Sequence, residues 1–279
     1  MRHGEHRKPP PPPSIRRRVV IPSTIFLGED ARLSTLRLGL LARYLAIFRV
    51  EEVLVFGEGR ERDFVVDVLR YAETPQYLRR RIVPLKPTLR YAGVIPPLQA
   101  PHHPASPGGR GFTPEFRDGV VLGVAGEWLL VDAGLGEPLR VRGRARVGDR
   151  VTLRLSRGVE VVDRSVVPYY WGYEVRAVAS LRDAVEACRG FLRVATSRKG
   201  EPIRRVAGRL VREARERGAI ALFFGERERG LFELAEDEGL DVHECFDYIV
   251  NLVPQQGTYT IRTEEAVPIA LSIIDLLLD

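Results

Sequence analysis

The first part of the chain alternates between two hydrophobic periods. Residues 19–21 and 53–56 are short apolar runs rich in β-branched side chains, and each precedes apolar positions at helical spacing, which start at Leu33 and Phe64. Short apolar strands that alternate with amphipathic helices are typical of a parallel sheet covered by helices. Residues 14–84 are therefore predicted to form part of an α/β domain.

The same alternation returns after Val167. Pro202 opens a helix with a single apolar stripe that ends at Gly218, and two apolar strands and a helix from Thr263 complete the chain. A proline at the start and a glycine just past the end are the usual boundaries of a helix. Residues 168–279 are predicted to belong to the same α/β domain as the N-terminal strands and helices.

The middle of the chain, residues 85–167, has a different pattern. It is rich in glycine and proline, lacks a helical period, and carries short alternating runs such as VVLGV, EWLLVDAG and RVTLRL. Short strands between glycine-rich turns predict a small all-β domain, and a length of about 80 residues suits an OB-like barrel. The sequence thus predicts a barrel inserted into the α/β domain.

An arginine-rich run within this insertion is a candidate for RNA binding. Arg140, Arg142, Arg144 and Arg146 alternate with other residues, so a continuous β-strand would carry all four guanidinium groups on one face. Guanidinium groups pair with phosphates and stack on bases, which favours RNA binding by this face. The alternative is an ordinary solvent-exposed strand face.

Positive charge is concentrated at the N-terminus. The net charge of the chain is +6, and the segment 1–18 supplies +5 of it. Residues 9–13 are all proline, which favours an extended backbone, so residues 1–13 are predicted to be a flexible basic arm. Such an arm either attaches electrostatically to nucleic acid or serves only to keep the protein soluble.

The composition disfavours several classes of protein. The only cysteines, Cys188 and Cys245, are far apart and have no zinc-ligand spacing, so neither a disulfide framework nor a metal site is predicted. No apolar run reaches the length of about 18 residues that spans a membrane, and no signal peptide is recognisable. We expect a cytoplasmic protein.

Three loops that follow predicted strands could bind a ligand: ATSRKGEP, GERERGL and VPQQGTYT. In an open parallel sheet, ligands bind at the carboxyl ends of the strands. None of the three loops has the glycine spacing of a phosphate-binding loop. They therefore favour a ligand without phosphates, such as S-adenosylmethionine, in which an adenosine carries a charged tail. The alternative is three ordinary surface turns.

Eight stretches of the chain resemble the SPOUT, or α/β-knot, RNA methyltransferases, in particular the archaeal and eukaryotic branch with an OB-like insertion. The resemblance implies a C-terminal trefoil knot, S-adenosylmethionine as cofactor, and a homodimer with its active site near the subunit interface. The stretches are IFRVEEVLVF, ETPQYLRR, YAGVIPPLQAPHH, FRDGVV, YYWGYEVR, ATSRKG, LFFGERERGL and NLVPQQGTYTIRTEEA.

The same resemblance assigns roles to individual residues. Arg262, with Thr263 and Glu264, falls where many relatives place residues that face the target nucleotide. Chemically, Glu264 and Glu265 are both able to accept a proton, and Glu264 is the candidate for catalysis; the alternative is that both carboxylates only stabilise the first turn of a helix. Many SPOUT enzymes have asparagine or serine around Thr260 and Arg262, so the chain departs from the common pattern there. The cofactor-binding positions are Thr196, Ser197, Gly225, Glu226, Gly230, Leu252, Val253, Pro254, Gln256, Gly257 and Thr258.

The resulting functional prediction is an S-adenosylmethionine-dependent RNA methyltransferase. Its expected substrate is structured ribosomal RNA, and the expected acceptor is a ring nitrogen of uridine. The rival interpretation is an RNA-binding or scaffold protein whose methyltransferase-like domain is inactive. A nicotinamide-dependent oxidoreductase is disfavoured because the dinucleotide-binding glycine pattern is missing.

Overall fold

The structure, a computed structural model, describes residues 9–103, 115–156 and 158–278. Most of the predicted basic arm, residues 1–8, lies outside this part of the chain. The strands are β1 (Arg16–Pro22), β2 (Glu52–Phe56), β3 (Phe116–Ala125), β4 (Trp128–Asp132), β5 (Leu139–Arg142), β6 (Arg150–Arg154), β7 (Glu160–Val162), β8 (Glu174–Val178), β9 (Leu192–Pro202), β10 (Ala219–Phe223) and β11 (Tyr248–Asn251). The α-helices are α1 (Ala31–Ile47), α2 (Gly59–Glu73), α3 (Gln76–Ile82), α4 (Leu181–Ala187), α5 (Ile203–Arg217), α6 (Leu231–Asp237), α7 (Val242–Cys245) and α8 (Thr263–Leu278). None of the helices in these ranges is long and apolar enough to cross a membrane.

The chain divides into two compact units, each with its own sheet. The parallel-sheet unit comprises residues 13–70, 88–97 and 173–278. The antiparallel-sheet unit comprises the described residues within 71–87 and 98–172, together with those before Pro13. The domain limits given above from the sequence stay predictions.

The parallel-sheet unit has six strands in the order β11-β9-β10-β1-β2-β8. Every neighbouring pair in this sheet is parallel. All residues of β2 and β10 are buried, as expected for central strands covered on both faces. The predicted α/β fold with a parallel sheet is therefore confirmed.

Helix α1 has two apolar faces of different exposure. One face, which includes Leu38, Leu41 and Leu45, is fully buried in the core of the unit. The other face carries Leu33 and Ile47 at the two ends of an exposed row, and both side chains are more than 40% exposed. A helix that is apolar beyond its core-facing stripe has surface left for a partner.

The antiparallel-sheet unit has five strands in the order β5-β4-β3-β6-β7. The sheet curls around a small core, so that Gly143, just after β5, approaches the side chain of Val161 in β7. The all-β insertion predicted from the sequence is confirmed as a separate antiparallel sheet. The core side chains are Val121, Leu129, Val131, Ala133, Val141 and Leu153.

The prediction that one strand carries four arginines is wrong in its geometry. Strand β5 ends at Arg142, so only Arg140 and Arg142 belong to it, and Arg144 and Arg146 lie in the following irregular segment. The main-chain N–H of Gly143 still donates to the carbonyl of Glu127 at 3.0 Å, but the pairing with β4 ends there. A Cβ atom at Gly143 would lie 3.1 Å from side-chain atoms of Leu129 and Val161, a tight contact. All four arginines are nevertheless exposed.

A buried ionic network lies in the antiparallel-sheet unit. The guanidinium of Arg150 donates to both carboxylate oxygens of Glu73, at 2.6 and 3.2 Å, and to Asp118. His102 contacts the same Glu73 carboxylate at 3.1 Å, and the indole of Trp171 donates to Asp118 at 2.9 Å. Burial alone would raise the pKa of Glu73, but Arg150 and His102 together hold it well below its usual value.

This network explains why several of the stretches quoted above contain polar residues that the hydrophobic pattern could not place. Glu73, His102, Asp118 and Trp171 come from ETPQYLRR, YAGVIPPLQAPHH, FRDGVV and YYWGYEVR respectively. All four are buried, and they are bonded to one another or to Arg150. These motif residues therefore hold the antiparallel-sheet unit together.

Candidate active site

Strand β9 is interrupted where the candidate site begins. Ile249 of β11 pairs with Ala195, whereas the next residue, Val250, pairs with Glu201. One step along β11 thus corresponds to six along β9, and residues 196–200 bulge away from the regular ladder. We call these five residues the β9 bulge. It contains most of the ATSRKGEP loop that the sequence singled out.

Gly200 is required where the β9 bulge rejoins the sheet. A Cβ atom at this position would lie 2.6 Å from the carbonyl carbon of Val250 and 2.7 Å from the carbonyl oxygen of Ile249. These are backbone atoms of the neighbouring strand and cannot rotate away. Only glycine therefore allows the chain to return so close to β11.

The β9 bulge and two further loops enclose a cavity of about 530 Å³. This volume lies within the range of roughly 300 to 1,000 Å³ that is usual for small-molecule sites. The bulge interrupts β9 after Ala195, and the other two loops follow β10 and β11. The three neighbouring parallel strands thus meet the cavity at the carboxyl side of their regular pairing, which is where such folds bind ligands. Eight of the predicted cofactor-binding residues line the cavity: Thr196, Ser197, Gly225, Glu226, Gly230, Leu252, Val253 and Gln256.

The remaining predicted site residues do not line this cavity. Pro254, Gly257 and Thr258 lie in the turn beyond it, and Arg262 and Glu264 lie on either side of Thr263, which does line it. A Cβ atom at Gly257 would meet no atom within 4 Å, so nothing within the described chain requires a glycine there.

Hydrogen bonds between the loops fix the shape of the cavity. The hydroxyl of Thr263, at the start of α8, donates to the carbonyl oxygen of Gly225 at 2.7 Å. The side-chain amide of Asn251 donates to the carbonyl oxygen of Arg198 in the β9 bulge at 3.0 Å. The hydroxyl of Thr196 donates to a main-chain carbonyl at the end of β10 at 3.0 Å. Each loop is therefore tied to a neighbour.

The cavity is lined by charges of both signs. Glu226 accepts a hydrogen bond from the hydroxyl of Thr24 at 2.6 Å. Lys199 donates to Glu233 at 2.7 Å, and this hydrogen bond lowers the pKa of the exposed Glu233 carboxyl below its usual value. Arg198, also in the lining, donates to a carbonyl in the loop after β11. A zwitterionic ligand would find partners for both its positive and its negative groups here.

The two glutamates at the start of α8 have different roles. Glu265 accepts a hydrogen bond at 2.9 Å from the main-chain N–H of Arg262, which is half of a capping box. Glu264 is partly buried, and burial raises its pKa above the usual value for a glutamate. Its carboxylate lies 3.7 Å from the guanidinium of Arg37 on α1. Glu265 is thus engaged in capping α8, whereas Glu264, which does not line the cavity, faces Arg37 of α1.

Several cavity residues were not predicted from the sequence. Arg198 and Lys199 lie in the ATSRKGEP loop, and the prediction of a ligand site in this loop could have included them. Asn251 has a side chain bonded to a main-chain carbonyl 53 residues away. Glu233 follows GERERGL in α6, and its hydrogen bond to Lys199 joins positions 34 residues apart. Such pairs become visible only in the folded chain.

Comparison with known proteins assigns the chain to a family. The model of a family described as "Putative RNA methyltransferase" matches residues 16–274, which is nearly the whole chain. The chain belongs to this family of RNA methyltransferases, and the resemblance to SPOUT enzymes found in the sequence is confirmed at this level.

Two relatives illustrate the range of the family. An uncharacterised protein of Halobacterium salinarum is 36% identical over 281 residues, covering 92% of this chain and 98% of the relative. The protein named 28S rRNA (uridine-N(3))-methyltransferase of Homo sapiens is 32% identical over 298 residues, covering 91% of this chain and 76% of the relative. The mouse protein of the same name is also 32% identical.

Proposed function

We propose that the protein methylates N3 of a uridine in ribosomal RNA and takes the methyl group from S-adenosylmethionine. The observation that carries the proposal is the cavity at the carboxyl ends of β9, β10 and β11, lined by eight residues that the SPOUT resemblance assigns to the cofactor. The names of the mouse and human relatives supply the nucleotide and the atom.

The cavity residues fit this methyl donor. Leu252 and Val253 offer an apolar surface and main-chain groups to an adenine ring, and the carboxylates of Glu226 and Glu228 suit positively charged groups. Arg198 can hold a carboxylate through its forked guanidinium. When bound, S-adenosylmethionine supplies a methyl group activated by a sulfonium.

The chain's own contribution to the reaction is positioning and proton removal. Holding the uridine in line with the methyl group accounts for a barrier reduction of up to about 7 to 11 kcal/mol in well-oriented systems. N3 of uridine carries a proton, and Glu264, with its raised pKa, accepts it in our proposal. Arg262 binds the uridine or its phosphate.

A methylation assay tests the proposal. The purified protein is incubated with S-adenosylmethionine and ribosomal RNA that lacks the modification, and the nucleosides are analysed by mass spectrometry. We expect N3-methyluridine from the unchanged protein. Glu264→Gln should lower kcat by about 100-fold or more, as removal of a general base does, with cofactor affinity unchanged.

Calorimetry separates the proposal from its rival. An RNA-binding scaffold protein with an inactive domain would bind ribosomal RNA but release no heat with S-adenosylmethionine at submillimolar concentration. That result, together with an unmodified nucleoside profile, would refute the enzymatic proposal. If methylation appears on another atom, only the assignment of N3 is wrong.

We propose further that the C-terminal segment forms the trefoil knot of SPOUT enzymes. Strand β11 lies at the sheet edge beside β9, yet Thr263, twelve residues after Asn251, bonds to Gly225 beyond the next strand, β10. Residues 252–262 must therefore cross the carboxyl end of β9, which supports the threading. An experimental structure in which the chain can be traced through residues 252–262 tests whether the knot is present.

The second apolar face of α1 supports the predicted homodimer. Leu33, Leu36, Leu40 and Ile47 form an exposed row on this helix, from 38% to 56% exposed. An exposed apolar row of this kind is a frequent site of self-association. We propose that a second copy covers it.

Sedimentation tests this dimer. We expect twice the chain mass of 31.4 kDa for the unchanged protein and the monomer mass for Leu36→Glu with Leu40→Glu. Leu135→Glu with Val147→Glu, which alters exposed apolar residues of the other unit, is the control and should remain dimeric. A wild-type monomer at micromolar concentration contradicts the proposal.

The antiparallel-sheet unit is proposed to be an OB-like RNA-binding domain. The guanidinium groups of Arg140 and Arg142 lie over the ring of Trp128, 4.5 and 5.0 Å from its centroid. Aromatic rings flanked by arginines are a common platform for nucleobases. Arg144 and Arg146, although outside the strand, add exposed positive charge nearby in sequence. If this proposal is correct, the double variant Arg140→Gln with Arg142→Gln binds RNA more weakly than the wild type.

A further inference from the structure

Helix α5 contains much of the positive charge of the folded chain. Its 15 residues include six arginines and two glutamates, a net charge of +4. Because the whole chain has a net charge of +6 and the segment 1–18 supplies +5, everything outside this segment and α5 is net negative. The charge of α5 is therefore a local feature and does not follow from the general composition.

Five of the six arginines of α5 occupy one exposed side of the helix. Val206, Leu210 and Ala214 form the buried stripe that packs on the sheet. The sixth, Arg217, lies outside this side and pairs with Asp247 at 3.0 Å. At 3.6 residues per turn, the other five arginines fall within an arc of about 140° opposite the buried stripe. They are Arg204, Arg205, Arg209, Arg212 and Arg215. We call this surface the α5 arginine face.

Most of these charges have no carboxylate partner. Within residues 9–103, 115–156 and 158–278, the side chains of Arg204, Arg205 and Arg215 form no ion pair or hydrogen bond. Arg209 lies 3.8 Å from Glu201, a distance that gives only a weak, solvent-exposed pair. The α5 arginine face thus presents free guanidinium groups to solvent.

The stability of the helix does not explain this arrangement. Arg204 and Arg205 lie in the first turn, where the helix dipole disfavours positive charge. Gly208 lies between them and Arg215 on the same side, and glycine in the middle of a helix is destabilising relative to alanine. A Cβ atom at Gly208 would meet nothing within 4 Å, so packing within the described chain does not require the glycine.

We propose that the α5 arginine face binds the phosphate backbone of the substrate RNA, with the backbone passing closely over Gly208. Guanidinium groups bind phosphates through paired hydrogen bonds, and an exposed glycine gives the backbone a flat surface between them. The helix begins four residues after Lys199, which lines the cavity, so the face starts beside the proposed active site. The inference rests on the proposed RNA substrate.

Salt-dependent RNA binding tests the α5 arginine face. The full chain is titrated into a fluorescently labelled RNA hairpin with a single-stranded tail, and anisotropy is followed at several salt concentrations. Arg204→Gln with Arg215→Gln should reduce the slope of log affinity against log salt concentration by about 1.5 to 2, as the loss of two phosphate contacts does. Unchanged affinity and slope would overturn the proposal and leave an acidic protein as the partner that fits this charge.

A matched control separates this contact from total charge. Arg60→Gln with Arg189→Gln removes two exposed arginines of the same unit, one in α2 and one just after α4, where it forms a surface ion pair with Glu186. It makes the same change in net charge and should leave the slope close to that of the wild type. An equal loss in both variants would indicate nonspecific attraction and overturn the proposal.

Gly208→Leu provides a second, independent test of RNA binding by the α5 arginine face. Leucine is a better helix former than glycine and has open space at this position, so the melting temperature should stay constant or rise. The affinity for the RNA hairpin should nevertheless fall several-fold, because the side chain would keep the RNA backbone away. Wild-type affinity in this variant would show that no backbone passes over Gly208.

The outcome is separable from that of the proposed function. If the protein binds the hairpin through α5 but neither binds S-adenosylmethionine nor methylates RNA, the RNA-binding surface is supported and the proposed enzymatic function is refuted. If Arg204→Gln with Arg215→Gln methylates ribosomal RNA with the same kcat/KM as the wild type, the proposed function is supported and the RNA-binding surface is refuted.

Discussion

Gly200→Ala is expected to weaken the binding of S-adenosylmethionine by about 10- to 100-fold. The added methyl group would lie 2.6 to 2.7 Å from backbone atoms of β11, so either the β9 bulge or β11 must move. Overpacking of this kind costs about 1 to 3 kcal/mol, and a tenfold loss of affinity corresponds to about 1.4 kcal/mol of binding free energy. Because residues 196–199 line the cavity, the displacement falls on the proposed cofactor site. Calorimetric titration gives the dissociation constant.

Gly190→Ala is the control for this prediction. Gly190 precedes β9 at its other end, and a Cβ atom there would meet no atom within 4 Å. The affinity of Gly190→Ala for S-adenosylmethionine should equal that of the wild type. Gly200→Ala should also lower the free energy of unfolding by roughly 1 to 3 kcal/mol. Wild-type affinity in Gly200→Ala would mean that the bulge does not set the shape of the site.

Arg150→Met is expected to lower the free energy of unfolding of the antiparallel-sheet unit by about 3 to 5 kcal/mol. Arg150 is bonded to both Glu73 and Asp118, which are 6% and 1% exposed, and methionine would leave these two buried carboxylates without their cation. Removal of one partner from a buried ion pair is far more damaging than loss of an exposed pair. Urea denaturation followed by tryptophan fluorescence measures the effect, because both tryptophans of the chain, Trp128 and Trp171, belong to this unit.

Arg154→Met controls for the loss of an arginine from the same strand. Arg154 pairs with Glu160 in β7, and both side chains are at least 35% exposed. The expected loss of stability is therefore below about 1 kcal/mol. If Arg150→Met and Arg154→Met cost the same, the buried network contributes no more than a surface pair.

The pH dependence identifies the carboxylate responsible. The folded-state pKa of Glu73 is lowered from its ordinary value of 4.5, so its stabilising contribution is present above that pH and is lost as the pH falls towards the folded-state value. Without Arg150 the strongest influence that lowers the pKa of Glu73 is removed, so this pKa is higher in the variant than in the wild type, and protonation in acid relieves part of the variant's loss of stability. The deficit of Arg150→Met relative to wild type should therefore shrink as the pH falls below 4.5. His103, whose pKa burial lowers to about 3, affects both proteins alike and cancels in the difference.

Local pattern was a good guide to individual elements of this chain. The apolar stripe of α5 and its end at Gly218 were predicted, and the structure has Gly218 in a left-handed conformation directly after the helix. The predicted four-arginine strand was wrong because alternation along the sequence does not reveal that the pairing of β5 with β4 ends after Arg142. The limits of a strand depend on its neighbours, which the local sequence does not specify.

By itself, the sequence determined the α/β class, the inserted antiparallel sheet and the three loops that carry the candidate cofactor residues, because hydrophobic period and turn residues act over a few positions. The tertiary structure alone decided that the β9 bulge, Gly225 and Thr263 form one cavity, that Arg150 joins Glu73 to Asp118, and that one side of α5 presents its arginines to solvent. These arrangements bring together residues from separate segments of the chain. Their energies come from contacts that exist only after folding, so no local pattern can encode them.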